Sequence, residues 1–277
     1  MVRCAQDTQD GGEAGMIDIV AEVRNILVIV ELEVRRLRHD YTDIGVRAIQ
    51  PIVWLLVFGT VFSKNRVIDT GDYTYLQFVA PGILAQAVLF VAIFFGIMLV
   101  WDRDSGNLAK LLVAPASRYS LVLGKCFSAS VRAIAQAVVV ISIIAVLGIF
   151  ISDIALKQNP LYIFLTIPVV VLIAAVAASI SILFATIFRT RERVMGFGQL
   201  LTLPLFFTSS ALYPITMMPW YLQLLAKVNP LTYGVDLLRG LMVTGDLSGA
   251  PMDLAVLLAY LLVLSAACAA LFKRMME

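Results

Sequence analysis

Six long runs of apolar residues, each almost free of charge, alternate with short polar stretches along the chain. They cover Ile44 to Phe62 (interrupted by Arg47), Leu76 to Val100, Ala133 to Ile151, Leu161 to Phe188, Val194 to Leu212 and Leu254 to Phe272. A helix crosses the hydrocarbon core with about 20 apolar residues, so each run predicts a spanning helix and the whole an all-α polytopic membrane protein. Pro51, Pro81, Pro168 and Pro204 fall inside these runs. They would break isolated helices, but in a bundle neighbouring helices and hydroxyl side chains satisfy the carbonyls they free. Ahead of the first run, apolar positions 19, 20, 23, 26, 27, 30, 34, 37 and 41 recur at helical spacing, with Glu22, Arg24, Glu31, Arg35 and Arg38 on other faces. This amphipathic helix either lies flat on the inner leaflet, with Arg35, Arg36 and Arg38 against lipid phosphates, or packs on the protein itself. Residues 1–15 are polar and aperiodic and predict a disordered tail, which leaves 16–277 as a single membrane domain.

Two connections are more than loops. In the inner loop 101–128, Asp104 or Ser105 can cap a short helix that Pro115 terminates, and Leu108, Leu111 and Leu112 then share one face. Such an apolar ridge rests on the membrane or enters a groove on a partner. On the other side, within 213–243, Trp220–Ala226 and Tyr233–Val243 are too short to cross and are separated by Asn229-Pro230. They predict re-entrant or interfacial helices, with Pro214 and Pro219 ahead of the first. Asp236 and Arg239 stand three apart and form a surface ion pair or touch a substrate.

Composition and charge placement agree with this pattern. The chain is 61% hydrophobic and 14% charged over 277 residues, which leaves no room for a large soluble domain. A net charge of +2 provides no field for nucleic acid. With the N-terminus inside, the inner face carries fourteen basic residues: Arg24, Arg35, Arg36, Arg38, Arg47, Arg103, Lys110, Arg118, Lys125, Arg189, Arg191, Arg193, Lys273 and Arg274. The outer loops carry five: Lys64, Arg66, Lys157, Lys227 and Arg239. This asymmetry places both termini in the cytoplasm. Trp101 on the inner side, and Tyr73, Tyr75, Trp220 and Tyr221 on the outer, fall where aromatic belts form.

The chemistry the sequence lacks narrows the function. Cys4, Cys126 and Cys268 lie far apart and His39 is the only histidine, so neither a disulfide framework nor a metal or Ser-His site is indicated. Gly124-Lys125 is followed by Cys126, with Tyr119 where a phosphate loop needs its first glycine, so the chain has no ATP site of that kind. All acidic residues fall in the tail, loops or span ends, unlike the buried carboxylates of ion-driven transporters. The polar residues inside the runs are neutral: Gln50, Gln86, Gln136, Gln199, Thr202 and Thr208, followed by Ser209 and Ser210. They pack helices or line a substrate path. The residues therefore describe a six-span bundle, not an enzyme, without an energy source of its own and with an apolar cytoplasmic ridge suited to docking.

The loop from Trp101 to Pro115 and the run from Tyr213 to Arg239 together resemble the membrane subunit of type-2 ATP-binding-cassette exporters, in the branch of daunorubicin-resistance and nodulation-factor permeases. The family's first inner loop usually reads Glu-Arg-Glu-x-Gly-Thr-Leu-Glu, then an apolar pair and a proline. Asp102, Arg103, Asp104, Gly106, Asn107, Leu108, Leu111, Leu112 and Pro115 stand at those positions, with both acids shortened to Asp and Ala109-Lys110 in place of the last acid. The resemblance implies that this loop is the coupling helix that receives the ATPase stroke. It also implies that the outer segment (Pro214, Pro219, Trp220, Asn229, Pro230, Tyr233, Asp236, Arg239) caps the exit. Two permeases, identical or paralogous, would assemble with two ATPase subunits that bind ATP and magnesium. Such a complex would export an amphipathic drug or lipid-like molecule, or a polysaccharide or lipo-oligosaccharide, across a prokaryotic plasma membrane. This chain itself would bind no cofactor.

Overall fold

Segments of Leu, Val, Ile and Ala that are apolar on every face have no side to turn toward water, and they form the longest helices. The computed structural model describes residues 22–37, 41–59, 61–62, 73–105, 118–150, 160–188 and 190–271. Nearly all of these are helical and none is in a strand. In chain order they form α1 (22–37), α2 (Tyr41–Val53), α3 (Tyr75–Asp104), α4 (Arg118–Phe150), α5 (Pro160–Ile187), α6 (Arg191–Phe207), α7 (Trp220–Val228), α8 (Pro230–Arg239) and α9 (Ala250–Leu271). Three residues after Pro51, α2 widens into a π-helical stretch, Trp54–Gly59, and α8 does the same over Gly240–Thr244. The second π turn stops at Gly245, whose φ of 72° suits glycine and whose N–H donates to Gly240 O at 2.8 Å.

Among the described residues α3, α4, α5 and α9 are long and apolar enough to cross a membrane. The runs 44–62 and 194–212 form shorter helices. The apolar part of α2 covers Gly45–Val57. With 17 residues α6 spans about 26 Å, short of the roughly 30 Å hydrocarbon core. It ends at Phe207 because hydroxyls take over its last carbonyls: Thr208 Oγ1 donates to Pro204 O (2.8 Å) and Ser209 Oγ to Phe206 O (2.7 Å). The third run begins far earlier than its apolar residues suggest. Helix α4 starts at Arg118, so 118–128 of the expected inner loop is helix. The remaining loop residues Gly106, Leu108, Leu111, Leu112 and Pro115 lie outside the described residues, as does the tail 1–15.

The core is built around α3 and α5. Of the most apolar stretch of each helix, 76% of α3 and 56% of α5 is buried within the chain, against 28% of α4 and 22% of α9, so the latter two present most of their surface outward. Small residues bring the central helices together. A Cβ on Gly96 would collide with Ser181 of α5, whose hydroxyl donates to Ile93 O, and one on Gly82 would meet the backbone of Ala211. Cys126 Sγ contacts Ser179 Oγ at 3.2 Å and Cys268 Sγ donates to Ser179 O at 3.2 Å, which joins α4, α5 and α9 at one buried point. Both thiols are free.

Candidate functional site

At its C-terminal end α3 runs beyond the last apolar residue into Trp101-Asp102-Arg103-Asp104, and these charges meet three other helices. Asp102 Oδ2 accepts from Lys125 Nζ of α4 at 2.6 Å, a pair only 12% and 9% exposed. Its other oxygen lies 3.7 Å from Arg36 of α1. Asp104 accepts from Arg103 (3.1 Å) and from Arg191 Nε at the start of α6 (2.9 Å). The Arg191 guanidinium also lies 5.1 Å from the Trp101 ring centroid. The basic segments assigned to the inner face on α1, α3, α4 and α6 thus gather at one end of the bundle.

Helix α1 is seated on this cluster by a face other than its apolar stripe. Glu33, 4% exposed, accepts from Arg132 of α4 at 2.5 Å, and Arg36 lies 3.9 Å from the same carboxylate. Ser128 Oγ donates to Ile29 O at 3.2 Å, and Gly124 leaves room for the Ile29 side chain. At 100° per residue, Ile29 and Glu33 lie about a quarter turn from the stripe, whose Val23, Leu27 and Val34 remain exposed. Sequence reasoning missed this pairing because it placed Lys125 in the inner loop and began the third apolar run at Ala133, just past Arg132. The available signal was their spacing of seven, which puts both on one face of a helix that continues through them.

At the opposite end the Asp236–Arg239 pair is a joint, not a surface ion pair. Arg239 donates to Asp236 Oδ1 at 3.0 Å and to Ser210 O at 2.5 Å, and its guanidinium stands 3.9 Å from the Phe78 ring centroid of α3. Ser210 Oγ donates to the same Asp236 oxygen at 2.7 Å. Asn229 caps α8 through Leu231 N (2.9 Å) and donates to Leu205 O (2.6 Å) and Thr208 Oγ1 (3.0 Å), with Pro230 at the first helical turn. Tyr233 Oη donates to Lys227 O at 2.6 Å. Pro214 and Pro219 precede the short helices Ile215–Met217 and α7, and Trp220 is 79% exposed. In the following turn the Ser248 N–H donates to Asp246 at 2.9 Å and holds its carboxyl below the usual carboxylate range.

Of the six polar residues expected along a path, three converge. Gln50 of α2, Gln86 of α3 and Gln136 of α4 line one cavity of about 40 Å³ together with Arg47, Pro51 and Phe90. Gln199 of α6 is exposed, while Thr202 and Thr208 direct their hydroxyls to carbonyls of α6 itself, Gly198 O (2.6 Å) and Pro204 O (2.8 Å). None of these three lines the cavity.

Residues 24–243 match the family described as the ABC-2 type transporter. The chain is 31% identical over 221 residues to a transport permease, ycf38, of Cyanophora paradoxa, covering 78% of this chain and 73% of that protein. It is 24% identical over 215 residues to a doxorubicin-resistance ABC transporter permease, DrrC, of Mycobacterium tuberculosis, covering 76% and 74%. A similar likeness, 24% over 215 residues with 72% and 76% covered, links it to the inner membrane transport permease YadH of Escherichia coli.

Proposed function

The chain belongs to the ABC-2 type transporter family and is a permease of that family, and on this premise we propose that it forms half of an exporter driven by a separate ATPase subunit. The carrying observation is that Asp102 and Asp104 bond to α1, α4 and α6 where α3 ends and the loop to α4 begins. In this reading the ATPase grips the apolar ridge of Leu108, Leu111 and Leu112. A push there reaches α3 through Asp102 to Asp104, passes to α4 through Lys125 and to α6 through Arg191, and tilts the bundle. A partner biases two conformations only through contacts that differ between them, and in this reading the ion cluster is where those contacts change.

Residues 16–277 act as one domain with six crossings, α2 and α6 completing the four long helices. Both termini are cytoplasmic, and α1 turns its exposed Val23, Leu27 and Val34 to the inner leaflet. Helices α7 and α8 enter from the outer side without crossing. A second copy or a paralogue completes the path in a prokaryotic plasma membrane, while ATP and magnesium bind the ATPase. The cargo is an amphipathic drug or lipid-like molecule. The reading is tested by reconstituting the permease and its ATPase in liposomes. Leu111→Asp is expected to insert normally and to abolish ATP-driven transport. Unchanged transport would remove the lever, and uptake by the permease alone under a proton or sodium gradient would remove the partner.

A further inference from the structure

Gln136 is 1% exposed, and neither its Nε2 nor its Oε1 has a hydrogen-bond partner among the described residues. A buried amide left in this state costs stability, and native proteins avoid it. Here the amide lines the same cavity as Gln86, Gln50 and Arg47, so two buried amides, a third that reaches the surface and a guanidinium converge on about 40 Å³. Arg47 lies within an apolar run, its guanidinium 5.6 Å from the Phe94 ring centroid. An ionisable group so placed is expensive to keep and commonly marks a ligand path. Gln136 lies four residues beyond Arg132, about 6 Å deeper along α4, where the third apolar run begins. Gln86 stands 16 residues, about 24 Å, from Asp102 along α3, and Gln136 stands 11 residues, about 16 Å, from Lys125 along α4, so the cavity lies deep among the apolar runs and away from the charged cluster.

We infer that this cavity binds the anionic headgroup of an amphipath, a carboxylate or phosphate. The chemistry is one of donors: a guanidinium provides only N–H groups, and each glutamine adds two more, so the matching group is compact, negative and rich in acceptors. The volume holds such a head and no hydrocarbon. The tail has a track beside it, because Gln50 is exposed and Val46, Ile49 and Val53 form an exposed apolar face on α2 that leads away from the cavity. The source of the head is a resident acidic phospholipid or the exported molecule itself. In the second case the site deepens the export reading and rests on it.

The test uses the full chain in nanodiscs of neutral phosphatidylcholine, with Trp101 and Trp220 changed to Phe so that Trp54, one helical turn beyond Gln50, reports alone. Dibrominated stearate is expected to quench Trp54 saturably, and its methyl ester only in proportion to its partitioning. Arg47→Gln should weaken the saturable phase about tenfold or more, the loss of one charge-assisted hydrogen bond. Gln136→Leu should do the same while leaving the melting temperature unchanged or raised, because it removes a buried unsatisfied group. Equal quenching by acid and ester, or full binding by Gln136→Leu, overturns the site. Mass spectrometry of the chain purified from its own membrane then separates the sources. An acidic phospholipid retained by the wild type and lost from Arg47→Gln identifies the lipid; no retained lipid together with saturable stearate binding identifies cargo. No ATPase enters the binding measurement, so its failure leaves the export reading standing, and failure of ATP-driven transport leaves the site standing.

Discussion

Glu33 and Arg132 form a charge pair that an apolar environment permits only while both partners are present. Removing one partner of a buried pair leaves the other charge desolvated and alone, which costs about 3–5 kcal/mol, whereas replacing both with apolar residues is often neutral. Arg132→Met is thus expected to lower stability by about 3 kcal/mol or more, and Glu33→Leu combined with Arg132→Met to recover most of it. Denaturant unfolding in detergent micelles, run as a double-mutant cycle, reads the difference. Additive losses would show that the two residues act independently. In the sequence these residues were unremarkable charges near a span boundary, since pairing partners 99 positions apart leave no local mark.

Helices approach closely where glycine removes the Cβ, and α3 relies on this twice. Gly82→Val would drive a branched side chain into the backbone of Ala211, which has no rotamer to escape through. Overpacking of this kind costs about 1–3 kcal/mol. The expected result is a lower melting temperature in detergent with normal membrane insertion; an unchanged melting temperature would mean that α3 and the Ala211 segment separate freely. A Cβ on Gly196 of α6 would meet nothing within 4 Å, so Gly196→Ala is expected to leave stability unchanged or to raise it by up to about 1 kcal/mol, and serves as the control. The apolar runs made α3, α5 and α9 readable within a few residues, because hydropathy alone selects a helix in lipid. They misplaced the start of α4 and the end of α6, where the deciding groups were Lys125, Arg132 and Ser209, whose partners lie in other elements or in the turn that follows.

For the molecule as a whole, orientation and assembly are open to direct measurement. A cysteine at Trp220, which is exposed on α7, is expected to react with an impermeant maleimide added to intact cells, and one at Trp101 only after permeabilisation. Cys126 and Cys268 are buried, so in a Cys4→Ser background little competing label is expected. Labelling of Trp101→Cys from outside would reverse the topology and move the proposed ATPase contact to the wrong side. The sequence by itself determined the all-helical membrane class, the set of apolar runs and the grouping of basic segments on one face, because each depends only on hydropathy and on where charge falls along the chain. The tertiary structure alone decided which face of α1 meets the bundle, that Asp236–Arg239 is an internal joint, and that three of six dispersed polar residues share a cavity with Arg47. A helix is laid down by residues three and four apart, but a site is assembled by packing between helices, and side chains far apart in sequence acquire a common chemistry only when that packing removes them from lipid and water together.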